Sequence, residues 1–291
     1  MTRFFIRAWF GLHVLPFSMY RLLAFVVSAL LAILVFAFGA ERRNVTLINL
    51  KLCFPESSRA QRLAWTIRHM FLYVRTFLDR AWLWNCTEAQ LRERVVITNP
   101  ERIQAHSPGK SRIFLAPHFL GLDAAWSRLG LEVDMVTMYS NQKNLVLNEV
   151  IRQGRERYGD QLLLSRQQGV RPLIQAMKKG RPLYYLPDMD FGEKDSVFVT
   201  FFGVEAATVT AVSRLSRMLD ADVIPVTTMF RGGKYEVTLH SPLSNFPLAD
   251  DAESTQYLNH CIEKWVKTNL VQYLWLHKRF KTRPPGQTRF Y

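Results

Sequence analysis

The sequence predicts an α/β domain built on a central, mostly buried sheet flanked by helices, preceded by an N-terminal membrane-anchoring helix. Three observations carry this. Short apolar runs alternate with amphipathic stretches from about residue 95 onward, the pattern of strands and helices packed in layers. Nineteen consecutive residues, Leu22 to Ala40, carry no charge. Hydrophobic residues make up 48% of the 291 and aromatics 13%, far too apolar for a disordered chain.

The apolar run comes first in order. At about 1.5 Å per residue it reaches roughly 28 Å, close to the roughly 30 Å hydrocarbon core of a bilayer. It is longer than the apolar core of a cleaved signal peptide, and Glu41-Arg42-Arg43 follows it directly. It therefore reads as an uncleaved anchor, with a buried core helix as the other reading. Arg3, Arg7 and Arg21 flank one side and Arg42, Arg43 and Lys51 the other, so charge does not fix its orientation. With a mean hydropathy of −0.04 and only one such run, a multi-pass transporter is not indicated. The expected division is residues 1–45 as anchor and 46–291 as one domain.

Residues 57–84 place Leu63, Ile67, Met70, Phe71, Val74, Phe77, Leu78 and Ala81 at three- and four-residue spacing, a helix with arginines interleaved. Thr87 and Gln90 form a capping box opening another short helix. Val95–Thr98, Ile113–Ala116, Val133–Met138, Pro182–Leu186, Val223–Thr228 and Tyr235–His240 read as strands. Residues 145–158, 170–179, 208–219 and 253–269 read as helices.

Lys plus Arg is 38 and Asp plus Glu 24, a net charge of +14 that calls for anionic partners: nucleic acid, anionic lipid or an acidic protein. The three cysteines, Cys53, Cys86 and Cys261, are odd in number and lack C-x-x-C spacing, so they read as reduced thiols rather than a disulfide scaffold. Gly109-Lys110-Ser111 is no phosphate loop, because position 104 is Gln and the tripeptide precedes a strand. No zinc, EF-hand or nucleophile-elbow pattern occurs.

The strongest local signal is RIFLAPHFLGLDAAWSRLGL, residues 112–131. A buried strand runs into Pro117-His118, and Gly121 and Asp123 follow before a helix. In one continuous helix His118 and Asp123 would lie about 140° apart. A turn over residues 117–121 allows the carboxylate, at the helix's first turn, to reach the imidazole, fix its tautomer and leave the other nitrogen as a general base. On spacing alone a loop histidine and an ordinary helix-capping aspartate are the preferred reading.

Further motifs change that balance. Residues 148–159 read NEVIRQGRERYG, 174–192 read IQAMKKGRPLYYLPDMDFG, 201–208 read FFGVEAAT and 272–286 read QYLWLHKRFKTRPPG. With H-x4-D at a strand end, these segments resemble the late acyltransferases of lipid A biosynthesis, the lauroyl/myristoyl acyltransferase family, over most of the chain. The resemblance implies a glycerolipid-acyltransferase-like fold in an enzyme on the cytoplasmic side of the bacterial inner membrane. It implies an acyl-acyl carrier protein donor and an acceptor hydroxyl on a lipid A precursor, often bearing Kdo sugars, with no metal or redox cofactor. It makes His118 and Asp123 the catalytic pair. Arg155 in GRERYG and Asp188 in PDMDFG match the family's essential arginine and aspartate, and Asp190 and Arg157 stand beside them as substrate-binding or transition-state support. Family members carry Glu where this chain has Asp123, which leaves acyl length and position open.

On residue chemistry alone, Arg155 is a planar cation suited to a phosphate or developing oxyanion. Asp188 and Asp190, two apart, would share one side of an extended segment and orient that arginine or a sugar hydroxyl. A solvated helix face and a turn aspartate are the plainer alternatives. Lys278, Arg279, Lys281, Arg283 and Arg289 read as solvated or anion-facing surface, with Tyr273, Trp275 and Phe280 at a membrane interface or stacking on nucleic acid. Two competitors remain: an acyltransferase with another lipid or glycolipid acceptor, and a membrane-tethered nucleic-acid binder.

Overall fold

A computed structural model describes residues 2–105, 107 and 109–291. The side chains of residues 2–5 and 7 lie outside that description, and with them Arg3 and Arg7. The chain opens with four helices: α1 (Thr2–Gly11), α2 (Phe17–Phe38), α3 (Ala40–Cys53) and α4 (Arg59–Leu83). Then follow α5 (Glu88–Arg94), β1 (Val95–Thr98), β2 (Ser111–Leu115), α6 (Leu122–Leu129), β3 (Val136–Tyr139), α7 (Leu145–Arg155), β4 (Leu162–Ser165), α8 (Arg171–Lys178) and β5 (Leu183–Tyr185). The last third holds β6 (Ser196–Phe201), β7 (Val204–Val209), α9 (Ala211–Leu219), β8 (Ala221–Arg231), β9 (Lys234–Leu239) and α10 (Asp251–Thr268).

Seven strands form one sheet in the order β1-β9-β8-β2-β5-β3-β4. All neighbours run parallel except β8 and β9. β2 sits near the middle, with Ile113 paired to Leu183 on one side and Val223 on the other. Ile113, Phe114 and Leu115 are wholly buried, as expected of a parallel strand covered on both faces. β6 and β7 form a separate antiparallel hairpin.

The six expected strands and the four later helices are present, with ends shifted by a few residues. The sequence reading had no counterpart for α1, α3, β4 or the β6–β7 hairpin. The short β4 is an edge strand, and the hairpin carries Phe-Phe-Gly and Ala-Ala where a clear alternation would be expected.

α4 begins at a complete capping box, Ser58 with Gln61, and α5 at the one expected between Thr87 and Gln90. α2 starts behind Pro16 and ends before Gly39, so it is displaced toward the N-terminus from the expected 22–40. By length and composition it could cross a membrane. Tyr20, Ala24, Ser28 and Ala32, four apart, form a buried stripe. Tyr20 Oη donates to Asp79 of α4 at 3.0 Å, and Phe25 packs edge-on against Phe71. The other faces expose Leu22, Val26, Leu30, Ile33 and Leu34.

Candidate active site

β2 delivers the chain to the site. After Leu115 the backbone turns tightly at Pro117, with Phe119 N donating to Pro117 O. A strap from the C-terminal segment then holds the loop. Leu120 N donates to Gln272 O, Leu274 N donates to His118 O, and Phe119 pairs with Tyr273 as an isolated bridge. Gln272 is buried and braces the strap by bonding both N and O of Phe230. Gly121 is required by space, since a Cβ there would stand 2.8 Å from Thr228 Cγ2.

His118 is held by Asp188, not Asp123. Its Nδ1 lies 2.7 Å from Asp188 Oδ1, and its backbone N donates to Asp188 Oδ2 at 2.9 Å. Asp188 is 2% exposed. Burial opposes its ionisation, but the nearby His118 charge and the hydrogen bonds from His118 and Tyr273 outweigh it, so its carboxyl sits below the ordinary range. A carboxylate only accepts, so Nδ1 carries the proton and Nε2 keeps its lone pair. Among the described residues Nε2 has no protein partner.

Asp123 occupies the first turn of α6 as expected, but it faces two guanidiniums. Arg80 Nε of α4 lies 2.7 Å from Oδ2, and Arg155 Nε of α7 lies 2.8 Å from Oδ1. Burial of Asp123 disfavours its charge, yet the two arginines prevail and hold its carboxyl at about 2. The physical reason for the changed pairing is competition. Two permanent cations satisfy both oxygens of a buried carboxylate better than one imidazole would. Arg155 is aimed by packing: Gly154 meets the Trp84 ring where a Cβ would stand 2.1 Å away, and Trp126 Nε1 donates to Arg155 O. Each guanidinium spends its Nε on Asp123, and its terminal nitrogens have no protein acceptor among the described residues.

The other expected residues divide. Asp188 does not meet Arg155. Asp190 bonds neither arginine nor open space: its carboxylate accepts from Thr282 N at 2.7 Å, Thr282 Oγ1 at 2.8 Å and Gly192 N at 3.0 Å. It ties the PDMDFG loop to the C-terminal strap. Arg157 lies beyond the end of α7, is exposed, and stands over the Tyr158 ring. It is not brought to His118.

The tail forms the expected basic surface only in part: Lys281 and Arg289 are exposed, but Arg279 is not. Arg279 is 3% exposed, donates to Ala207 O and Thr208 Oγ1, and stacks on Phe201. Lys278 pairs with Glu41 at 2.9 Å. Tyr273, Trp275 and Phe280 are buried in the core, so they are available neither to an interface belt nor to stacked bases. Burial raises the thiols of Cys53, Cys86 and Cys261 above their ordinary value, and none is a ready thiolate. Among the described residues no three His, Cys, Asp or Glu side chains form a metal-holding group.

Sequence reasoning missed three members. Arg80 was one of several interleaved helix arginines, with nothing to mark its inward direction except its place one turn before the end of α4. Tyr273 read as an interfacial aromatic. His277 stood inside the quoted HKRF motif without a role.

A family model described as bacterial lipid A biosynthesis acyltransferase matches residues 1–282. The chain is 31% identical over 254 residues to the lipid A biosynthesis lauroyltransferase of Escherichia coli K12, covering 86% of this chain and 82% of that one. It is 31% identical over 269 residues to the myristoyltransferase of the same strain, covering 87% and 79%. The palmitoleoyltransferase is 28% identical over 293 residues, covering 97% and 94%. Among solved structures, the 1-acyl-sn-glycerophosphate acyltransferase PlsC of Thermotoga maritima aligns with a TM-score of 0.41 and 13% identity, over 86% of this chain and 96% of that one. With the matched residues spanning nearly its whole length, the chain belongs to the bacterial lipid A biosynthesis acyltransferase family.

Proposed function

We propose that the protein transfers a fatty acyl group from an acyl carrier protein thioester to a hydroxyl of a lipid A precursor, at the cytoplasmic face of the bacterial inner membrane. The observation that carries the reading is the His118–Asp188 pair at the end of β2: a mostly buried but still accessible imidazole with a fixed tautomer, its free nitrogen ready to take a proton.

His118 Nε2 removes the proton from the acceptor hydroxyl as its oxygen attacks the thioester carbonyl. Asp188 keeps Nδ1 protonated and stabilises the imidazolium that forms. The carbon–sulfur bond then breaks, and the thiolate leaves with the proton from His118. A thioester is already activated, so base catalysis and positioning are sufficient and no acyl-enzyme is needed. Arg80 and Arg155, bracketing Asp123 with net positive charge, turn their unpaired N–H groups to an anionic group of a substrate, for which the phosphate of a lipid A precursor is suited. The exposed apolar face of α2 seats the enzyme on the bilayer that supplies the acceptor. Residues 46–291 act as the single catalytic unit, against which α2 is packed.

Purified full-length protein, given acyl carrier thioesters of graded chain length and a Kdo-bearing lipid A precursor, should yield a product heavier by one acyl group on mass spectrometry. Transfer to another lipid and none to this precursor would select the alternative acceptor. No transfer to any hydroxyl lipid would refute the reading.

A further inference from the structure

We infer that His277 is the hydrogen-bond donor that holds the carbonyl oxygen of the reacting thioester. The inference rests on the acyl-transfer reading and adds to it a residue that the mechanism above does not use.

Placement comes first. Both imidazoles hang on one loop. His118 is bonded to the carboxylate of Asp188, and His277 Nε2 accepts from the backbone N–H of Asp190 at 3.0 Å. These anchor residues are two apart, at most roughly 7 Å along the chain. From the other side, Leu274, three residues before His277, donates its N–H to His118 O. The two rings are therefore pinned to each other through two separate stretches of backbone.

The hydrogen bonds assign opposite roles to the two rings. His118 spends its Nδ1–H and keeps a lone pair on Nε2. His277 spends its Nε2 lone pair on an amide, so the neutral ring carries its proton on Nδ1. That N–H meets no acceptor among the described residues, and it is not among the sealed, unpartnered polar atoms. One ring offers a base and its neighbour a donor, the pair that attack on a carbonyl requires.

His277 is also rigid and neutral. Asn49 Nδ2 donates to His277 O at 2.7 Å, and the Asp190 carboxylate is locked by Thr282. Burial, with the His118 charge second, lowers its pKa to about 4, so it remains a neutral donor while His118 cycles. A fixed neutral dipole beside a developing charge needs no reorganisation during the reaction.

In the step, the acceptor oxygen bonds to the carbonyl carbon, its proton passes to His118 Nε2, and the carbonyl oxygen gains negative charge while accepting from His277 Nδ1–H. Collapse reforms C=O, expels the thiolate, and returns the proton from His118 to sulfur, giving ester and thiol.

Two substitutions separate this role from a structural one. His277→Asn sets an N–H near the place of Nδ1 and gives up the bond to Asp190. His277→Gln reaches the place of Nε2 with an oxygen that accepts from Asp190 and offers no donor at Nδ1. Loss of the donor in His277→Ala should lower kcat about 100- to 1000-fold with KM little changed. His277→Asn should turn over faster than His277→Gln. His277→Gln as fast as His277→Asn, or faster, would overturn the inference and leave His277 as a brace for the loop. Hydrolysis of the acyl carrier thioester by water uses the same carbonyl and reads the same ranking, so the result stands apart from the identity of the acceptor. The wild-type protein supplies a check that needs no variant: a crystal structure with a carrier-linked trifluoromethyl ketone should place the ketone-derived oxygen within hydrogen-bond distance of His277 Nδ1. Separation beyond about 3.5 Å would overturn it equally.

Discussion

His118 and Asp188 are joined twice, by the imidazole Nδ1 at 2.7 Å and by the backbone N–H at 2.9 Å, across 70 positions of sequence. The two hydrogen bonds fix ring and loop together. An amide at 188 has one oxygen for two donors, and its NH2 faces one of them. Asp188→Asn should therefore lower kcat by about 1000- to 10,000-fold, since the imidazole no longer keeps its tautomer. KM and the circular dichroism spectrum should change little. Turnover within a few-fold of wild type would remove Asp188 from the mechanism.

Asp123 has a different consequence. Removing its carboxylate leaves two guanidiniums facing each other without a counter-charge. Asp123→Ala should cost roughly 3 kcal/mol, the low end for a broken buried pair, because both arginines retain some solvent. Urea unfolding midpoints measure this. An unchanged midpoint would show that Asp123 is not needed to hold the two arginines in the fold.

Acid should weaken the fold in two stages. His69 and His277 have folded pKa values lowered by burial to about 4, from an ordinary 6.5. The unfolded chain binds their protons first, so their contribution is present above about pH 6.5 and falls as pH drops toward 4. Asp123, held at about 2 against 3.8, keeps its contribution above about pH 4 and loses it toward 2. Each histidine adds up to about 1.4 kcal/mol per pH unit inside its window. His69 Nδ1 donates to Val271 O, a bond that His69→Asn preserves. The fall in Tm between pH 7 and 5 should be shallower in His69→Asn than in wild type. Equal slopes would show that His69 does not contribute.

The two sides of α2 should respond differently to substitution. Leu30 is 58% exposed near the middle of the helix, whereas Ala24 is 2% exposed against α4. Leu30→Lys should weaken membrane association, at about 2.5–3.5 kcal/mol for a charge at the centre of a span, with Tm unchanged. Ala24→Leu should lower Tm by overpacking and leave flotation with vesicles intact. Deleting residues 1–40 removes the Tyr20–Asp79 bond and bares α4, so the remainder should aggregate. A stable, soluble, monomeric 41–291 would contradict this packing.

Most of the sheet was legible because buried parallel strands such as Ile113–Leu115 are apolar runs bounded by turn residues. The helices were legible from spacing, and α5 from its capping box alone. The position of His118 at a strand end was also readable. Its partner was not. Asp123 and Asp188 are both aspartates near helix or turn signals, and only the tertiary approach of Arg80 and Arg155 decides which carboxylate is left for the imidazole. The same limit hid Arg279, whose neighbours Lys278 and Lys281 made it read as solvated. Its burial depends on Ala207 O and Thr208 in a hairpin that the sequence pattern did not reveal.

The central claim is that His118 Nε2 takes the proton of the acceptor hydroxyl. It is tested most directly by the single-turnover rate of acyl transfer from an acyl carrier thioester to a lipid A precursor, compared between wild type and folded His118→Ala. The account predicts a loss of about 100- to 10,000-fold with acceptor binding retained. A rate for His118→Ala within a few-fold of wild type would contradict it.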